Sequence, residues 1–478
     1  MRVTDPRQMS GPDAVVVGSG PNGLAAAIVM AQAGRRVAVF EAEPTVGGGV
    51  RSAELTLPGF VHDVCSAIHP FAVGSPFFRT LPLAAHGLEW IEPAAMVAHP
   101  FDDGSCGIVY RSVERTAAGF GDDGRAYREL IGSMVDAWPR LETAVLGPLR
   151  WPRHPLDLAR FGLRALRPAE ALARGTFKGE GARAVFAGIA AHGMMPLDRM
   201  PTAAIGLVLN VMAHVAGWVL PRGGAQRLAD ALAAYFKSLG GEIVTGARVQ
   251  SIDELPAARA VLCDLSPRPL LRIAGHRFPP RFRRALERYR YGTGVYKIDY
   301  ALSAPIPWRA ADCGAAATVH VGGTLAEIAR SERDAWEGRV SERPFVLVTQ
   351  PTLFDRSRAP EGGHTAWAYC HVPHASRADM LDAVERQIER FAPGFRERIL
   401  ARAIRRPADI ERDNANLVGG DIGAGVTDIG QLFARPTWRT YGTPVRGLYI
   451  CSASTPPGVG VHGMCGYYAA TRALAEAF

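Results

Sequence analysis

The sequence predicts an α/β fold of two domains: a nucleotide-binding domain assembled from distant chain segments, and a second, α+β domain with a mixed sheet and a helical cap. Three observations carry this. A strand, glycine turn, helix and second strand open the chain at 13–40, and a strand, glycine-rich loop and helix close it at 447–478. The material between is of another kind, helical in pattern over 130–220 and strand-like over 291–300 and 345–372. Two related ends around unlike material are hard to fit to successive domains and easy to fit to one discontinuous Rossmann-like domain.

In the opening unit, AVVVG is a short apolar run suited to a buried parallel strand. Gly23–Ala33 is alanine-rich with no breaker until Gly34, a helix with its C-terminal glycine. RRVAVFEAE supplies the second strand. Thr202–Leu220 is a nineteen-residue run without Asp, Glu, Lys or Arg; because it contains Asn210, His214 and two glycines, it reads as a buried helix rather than a membrane span. From Pro221 a Gly-Gly turn leads into an amphipathic helix with Leu228, Leu232, Tyr235 and Phe236 inward. Gly240-Gly241 ends that helix, EIVTGARVQSI follows as strands around a turn, and RAVLCDLSP (259–267) is the next buried strand. In VYKIDY, alternation puts Val295, Lys297 and Asp299 on one face and Tyr296, Ile298 and Tyr300 on the other. Segment 373–412 is rich in Arg, Ala and Glu and reads as helical. GLYICS, the loop PPGVGVHGMCG and YYAATRALAEAF complete the chain.

Composition narrows the function. With 48% hydrophobic and 21% charged residues the chain is an ordinary globular one. Glycine, at 52 residues, exceeds the usual share of about 7% and is to be sought in loops. The net charge is +8, carried almost wholly by arginine, since Lys178, Lys237 and Lys297 are the only lysines. No zinc-finger spacing, RNA-binding aromatic signature or basic run longer than a pair accompanies it, so nucleic acid is not an expected partner. Seven scattered cysteines without CxxC argue against a disulfide framework or a metal site and suit a reducing, cytoplasmic setting. The N-terminus MRVTDPRQMSGPD has no apolar core of signal-peptide type.

Gly18-Ser19-Gly20-Pro21-Asn22-Gly23 is GxGxxG between a strand and a helix. Gly18 makes the tight turn, Gly20 lets a pyrophosphate approach the backbone, and Gly23 allows close helix–strand packing, with the helix N-terminus facing the negative charge. Glu41 follows at the end of the second strand, where a carboxylate can accept both ribose hydroxyls of an adenosine and would repel a 2′-phosphate. Residues 44–52, PTVGGGVRS, then bring Gly48, Gly49, Arg51 and Ser52 to a second part of the cofactor.

GxGxxG, then Glu, then GGxxRS resembles the FAD domain of glutathione-reductase type, in the branch containing amine oxidases and phytoene desaturases. GLYICSASTPPGVGVHGMCGYYAA resembles the terminal flavin-binding motif of the phytoene-desaturase-related dehydrogenases. HDVCSAIHPFA (62–72) and GGAQRLADAL…GARVQSI are similar to further segments of that family. The resemblance runs from about residue 13 to 478, strongly over the cofactor segments and loosely from 100 to 215. It implies FAD as cofactor, an FAD domain formed by 1–95, 216–275 and 413–478, and a substrate domain formed by 96–215 and 276–412. It implies further that Pro21, Asn22, Ala42, Ser454, Gly460, His462, Gly463 and Met464 line the cofactor and that Val249 meets the adenine through its main chain. Ser452-Ala453-Ser454 stands where many flavoproteins of this fold carry Gly-Asp for the ribityl hydroxyls.

Missing motifs bear on the reaction. No CxxxxC follows the GGG, and no second GxGxxG marks a separate NAD(P)H domain. The expected reaction is hydride removal from a hydrophobic small molecule or polyene to flavin N5, with electrons leaving to oxygen, a quinone or another carrier. Candidate catalytic groups are His462, His69 and Lys297, the last because burial in a strand lowers an amine's pKa. Arg150–Arg183, eight basic residues interleaved with Trp151, Leu156, Phe161, Leu163 and Leu166, is either a solvated helical face or a patch contacting a membrane surface. Three alternatives stay open: an amine oxidase producing hydrogen peroxide, with an aromatic pair by the flavin; a flavin-dependent isomerase or saturase; and a non-catalytic lipid carrier of GDP-dissociation-inhibitor type.

Overall fold

The computed structural model describes residues 11–478; the first ten, on which the expectation about a leader rests, lie outside the described residues. Five short parallel strands form the nucleotide-binding sheet, in the order Leu448–Ile450, Ala260–Cys263, Ala14–Val17, Val37–Phe40 and Glu242–Val244. The strand that opens the chain is central and buried along its whole length, as a strand covered on both faces must be. One neighbour, Val37–Phe40, is the next strand in sequence, but the other, Ala260–Cys263, lies more than two hundred residues on and pairs in turn with Leu448–Ile450, so the sheet closes only when the ends of the chain meet.

That meeting is between helices. Pro21–Gln32 lies against the terminal helix Met464–Ala477, and the contact is so close that a Cβ on Gly466 would stand 1.8 Å from the carbonyl oxygen of Asn22. Helix Gln226–Ser238 covers another side of the first helix and turns Leu228, Leu232 and Phe236 into the core.

The second domain is built on a seven-stranded sheet in the order Ile399–Arg405, Gly294–Leu302, His364–Val372, Val346–Thr349, Ala316–Val321, Ala95–Pro100 and Cys106–Val109. Every pairing is antiparallel except that of Ala316–Val321 with Ala95–Pro100. The register sets His320 opposite Leu347, Leu347 opposite Tyr369, and Tyr369 opposite Lys297. Directly paired residues share a face and side chains alternate along a strand. One face therefore carries Thr318, His320, Leu347, Trp367, Tyr369, Lys297 and Asp299, whereas Val319, Val348, Ala368, Ile298 and Tyr300 pack on the other. The alternation expected for VYKIDY is the one observed. Over the first face lies a cap that includes the helices Ser133–Val145, Pro155–Ala165, Ala169–Thr176, Glu180–Ala191 and Thr202–Val215.

Two local expectations need correcting. Ile399–Arg405, read as part of a helical segment, is an edge strand pairing with Gly294–Leu302; an open sheet edge overrides the helix preference of Ala and Arg. In EIVTGARVQSI only Glu242–Val244 is a strand. Gly246, at φ +66°, turns the chain out of the sheet, and 247–250 form a rim of the cavity below. Thr202–Leu220 is a helix to Val215, and its last residue, Leu220, begins a short pairing of Leu220–Pro221 with Trp90–Ile91.

Candidate cofactor and substrate site

A cavity of about 630 Å³ runs between the two sheets. One end is the nucleotide fingerprint. Gly18, Gly20, Pro21, Asn22, Glu41, Ala42, Gly48, Gly49, Arg51 and Val249 all reach it, so the greater part of the expected cofactor set is brought together. The glycines are there for space. A Cβ at Gly23 would stand 2.1 Å from the Gly18 carbonyl oxygen, and one at Gly48 would stand 3.1 Å from Gly20 Cα. Gly20 caps the first helix without a side-chain bond, leaving its N-terminus open to an anion.

Glu41 is 7% exposed. Its Oε2 accepts from the Ser19 amide at 2.8 Å and the Ser19 hydroxyl at 2.5 Å, and its Oε1 accepts from the Glu43 amide at 2.9 Å. The carboxylate thus clamps the glycine turn as well as facing the cavity. Arg51 ties the second glycine turn down, donating to the Gly48 carbonyl at 3.0 Å and the Asp413 carbonyl at 2.6 Å.

Asp264 is a site residue that the motif reading missed. It ends strand Ala260–Cys263, lines the cavity, and its Oδ2 accepts from the Gly23 amide at 2.9 Å. Burial, with the nearby Glu41 charge adding to it, pushes this carboxyl up to about 7. Its position was legible from the strand RAVLCDLSP, since ligands in open parallel sheets bind beyond the carboxyl ends of strands.

Other expected residues support the site from behind. Gly23, Ser52, Ser454, His462, Gly463 and Met464 are not on the cavity wall. Ser52 Oγ donates to Asp63 and accepts from the Gln226 amide. Ser454 is buried against Ser452 Oγ at 2.6 Å, and Ser452 and Ala453 reach the cavity instead. Gly463 is left-handed at φ +67° and starts the terminal helix against Phe78. Met464 Sδ lies 3.7 Å from the Ser75 hydroxyl. His462 Nδ1 accepts from the Met464 amide at 3.0 Å, which places the proton on Nε2, and burial lowers its pKa to about 4. Its ring braces the terminal loop.

His69 does line the cavity, neutral because burial pulls it down to about 4. Lys297 opens instead on a small side recess shared with Gly48, Gly49, Cys65 and Tyr369. Its ammonium lies 2.5 Å from Asp299 Oδ1 and 5.5 Å from the centre of the Trp367 ring. Burial lowers the lysine and raises the aspartate. The other end of the cavity is apolar, formed by Phe71, Met194, Ile205, Leu209, Trp218 and Leu347. Helix Thr202–Val215 supplies one wall through Ile205, Val208 and Leu209. Tyr467 and Tyr468 are remote from it, packed on Phe77 and Tyr441.

Residues 16–81 match the family described as NAD(P)-binding Rossmann-like domain. The chain is 27% identical over 548 residues to the mouse pyridine nucleotide-disulfide oxidoreductase domain-containing protein 2, covering 96% of this chain and 92% of that one. It is 29% identical over 420 residues to phytoene dehydrogenase of Streptomyces griseus, covering 82% and 78%. Among solved structures, a putrescine oxidase variant shares the fold at TM-score 0.63 with 17% identity, covering 97% and 98%. The chain is an oxidoreductase related in sequence to phytoene dehydrogenase, with a fold shared by putrescine oxidase. The sequence likeness to phytoene dehydrogenase and phytoene desaturases supports a relation to the phytoene-desaturase-related FAD oxidoreductases.

Proposed function

We propose that the chain is an FAD-dependent dehydrogenase of desaturase type that takes a hydride from a hydrophobic small molecule and passes the electrons to oxygen, a quinone or another carrier. One observation carries the reading: a single cavity joins a nucleotide fingerprint to an apolar chamber. The residues fit FAD, because Gly18, Gly20 and Gly48 leave room for a backbone-cradled pyrophosphate and Glu41 offers a buried carboxylate to a ribose. Bound there, the flavin would supply the hydride acceptor. The chain's own part is to orient the substrate C–H and to exclude water, and the apolar wall suits both.

The chamber favours an uncharged substrate over an amine. The acidic residues on the cavity wall, Glu41, Glu43, Asp264 and Asp413, belong to its nucleotide half, so an ammonium at the far end would meet no counter-charge. Trp367 and Tyr369 stack with centroids 5.4 Å apart, leaving no slot between the rings.

Delivery from a lipid surface is part of the proposal. Trp151, Leu156 and Leu163 are 91%, 73% and 77% exposed, beside Arg153, Arg160 and Arg167. Leu156 and Leu163 project from helix Pro155–Ala165, whose other face packs Leu158 and Phe161 on the cap, against the helix that walls the cavity. Exposed apolar side chains ringed by arginine suit an anionic bilayer. Among the described residues no helix is long and apolar enough to cross a membrane, so the proposed contact is peripheral, from the cytoplasmic side.

The test is the purified protein's visible spectrum, followed by anaerobic reduction with polyenes, amines and alicyclic alcohols. A flavin spectrum bleached by an uncharged substrate supports the reading. A colourless protein that cannot be reconstituted with FAD refutes it. Bleaching by dithionite alone would favour an isomerase or saturase.

A further inference from the structure

Toward the apolar end of the cavity, two side-chain atoms, Thr318 Oγ1 and His192 Nδ1, have no hydrogen-bond partner among the described residues. Thr318, on strand Ala316–Val321, lines the cavity. His192, at the end of helix Glu180–Ala191, also lines it. His320 lies two residues beyond Thr318 on the same face of the strand and meets His192 from behind, Nε2 to Nε2 at 3.0 Å. Since His320 and Thr318 share that face, the two unsatisfied groups open on one side of the sheet.

The pair's tautomers follow from where each ring's second nitrogen lies. His320 is fully buried, and its Nδ1 has no partner. It is enclosed by Phe345 and Trp218 at ring-centroid distances of 5.5 and 6.2 Å and by Gly188, where a Cβ would come within 2.8 Å of Nδ1. If His192 donated to His320, the His320 proton would sit on that enclosed Nδ1 and strand a buried N–H, which is rarer than a stranded acceptor. If His320 donates, its Nδ1 is a bare acceptor and His192 carries its proton on Nδ1, toward the cavity. His99 behaves in the same way: its Nε2 is 2.6 Å from the Gly323 carbonyl and must donate, leaving a bare buried Nδ1, whereas His462 keeps its proton on an Nε2 without a partner among the described residues. Both rings stay neutral, since burial takes His192 down to about 3 and His320 well below its ordinary value.

We propose that His192 Nδ1–H and the Thr318 hydroxyl form an oxygen-recognition site, so that the substrate is an apolar molecule bearing a neutral carbonyl or hydroxyl oxygen rather than a pure hydrocarbon. His320 is the positioning residue that holds the His192 proton toward the cavity. The proposal rests on the oxidoreductase reading above and adds the substrate class. A neutral oxygen is selected because no carboxylate reaches this end to pair with a cation, and the cavity-lining arginines Arg51, Arg248 and Arg272 belong to the nucleotide half.

The test titrates the FAD-loaded protein with cyclodecanone and with cyclodecane, reading the perturbation of the flavin's visible band. The ketone is expected to bind about tenfold tighter, the ratio one net hydrogen bond supplies. His192→Phe should bring the two ligands within about twofold of each other, the readout being the ratio of the two affinities within each protein, and His192→Gln, which keeps an N–H donor, should restore most of the preference. Nitrogen-15 shifts should place the His192 proton on Nδ1 in the native protein and on a mixture of nitrogens in His320→Leu. Equal affinities in the native protein, binding of neither ligand, or a ketone preference that survives His192→Phe would overturn the proposal. Failure to load FAD would instead overturn the flavin reading, and shows directly as a missing visible band.

Discussion

Asp264 offers the sharpest test of the cofactor site. Its carboxyl shares the first helix's N-terminus with the expected pyrophosphate, and burial raises it to about 7 from an ordinary value of about 4. Between those values the folded chain holds a proton that the unfolded chain has released. Stability contributed by this group therefore falls as pH rises from about 4 to about 7 and levels off above. Each tenfold in proton affinity is worth about 1.4 kcal/mol, so the whole displacement is roughly 4 kcal/mol. Asp264→Asn keeps an oxygen to accept from the Gly23 amide and cannot ionise. The variant should match the native protein below about pH 4, exceed it by about 1.4 kcal/mol at pH 5 and by roughly 4 kcal/mol at pH 8. FAD affinity should follow the same logic: an anion beside Asp264 favours the protonated form, so native affinity should drop by up to about tenfold per pH unit above 7, and the variant's should stay flat. Urea denaturation from pH 5 to 8.5, with FAD titration by fluorescence quenching over the same range, measures both. Parallel pH curves for the two proteins would refute the assignment.

Other expectations concern the frame and the surface. Gly466→Ala should push the terminal helix off the first, costing about 3 kcal/mol or more, and a melting temperature unchanged within 2 °C, an order-of-magnitude threshold, would contradict the close approach to Asn22. Arg358→Met removes the buried partner 2.9 Å from Asp63, which also accepts from the Ala225 amide and Ser52; unfolding should become easier by about 3–5 kcal/mol in urea. Glu41→Ala frees the Ser19 clamp and should weaken FAD by at least about tenfold in equilibrium titration. Replacing Trp151, Leu156 and Leu163 together by Ser should abolish co-sedimentation with anionic phosphatidylglycerol vesicles while stability changes by under about 0.5 kcal/mol per site; native protein that stays in the supernatant would end the membrane proposal.

Much of the nucleotide half was legible because its chemistry is local. A glycine forced by a carbonyl two ångströms away, an acid at a strand end and a second glycine turn all lie within forty residues of one another. The terminal loop was legible as a segment, but the direction of its side chains was not: whether Ser452 or Ser454 faced the cavity, and whether the His462 ring faced the flavin or its own loop, depended on a left-handed Gly463 and on helix packing from the far end of the chain. Ile399–Arg405 had helical composition and became a strand because the neighbouring edge was open.

Sequence alone determined that this is an α/β protein with a Rossmann-like glycine fingerprint, because glycine geometry and strand hydrophobicity act over a few residues. Only the tertiary structure decided the substrate end. Pairing of strands far apart in sequence set His320, Leu347, Tyr369 and Lys297 in one row, and a helix from the cap set His192 against it. A chamber of that kind is a property of register and packing, and no single segment carries its pattern.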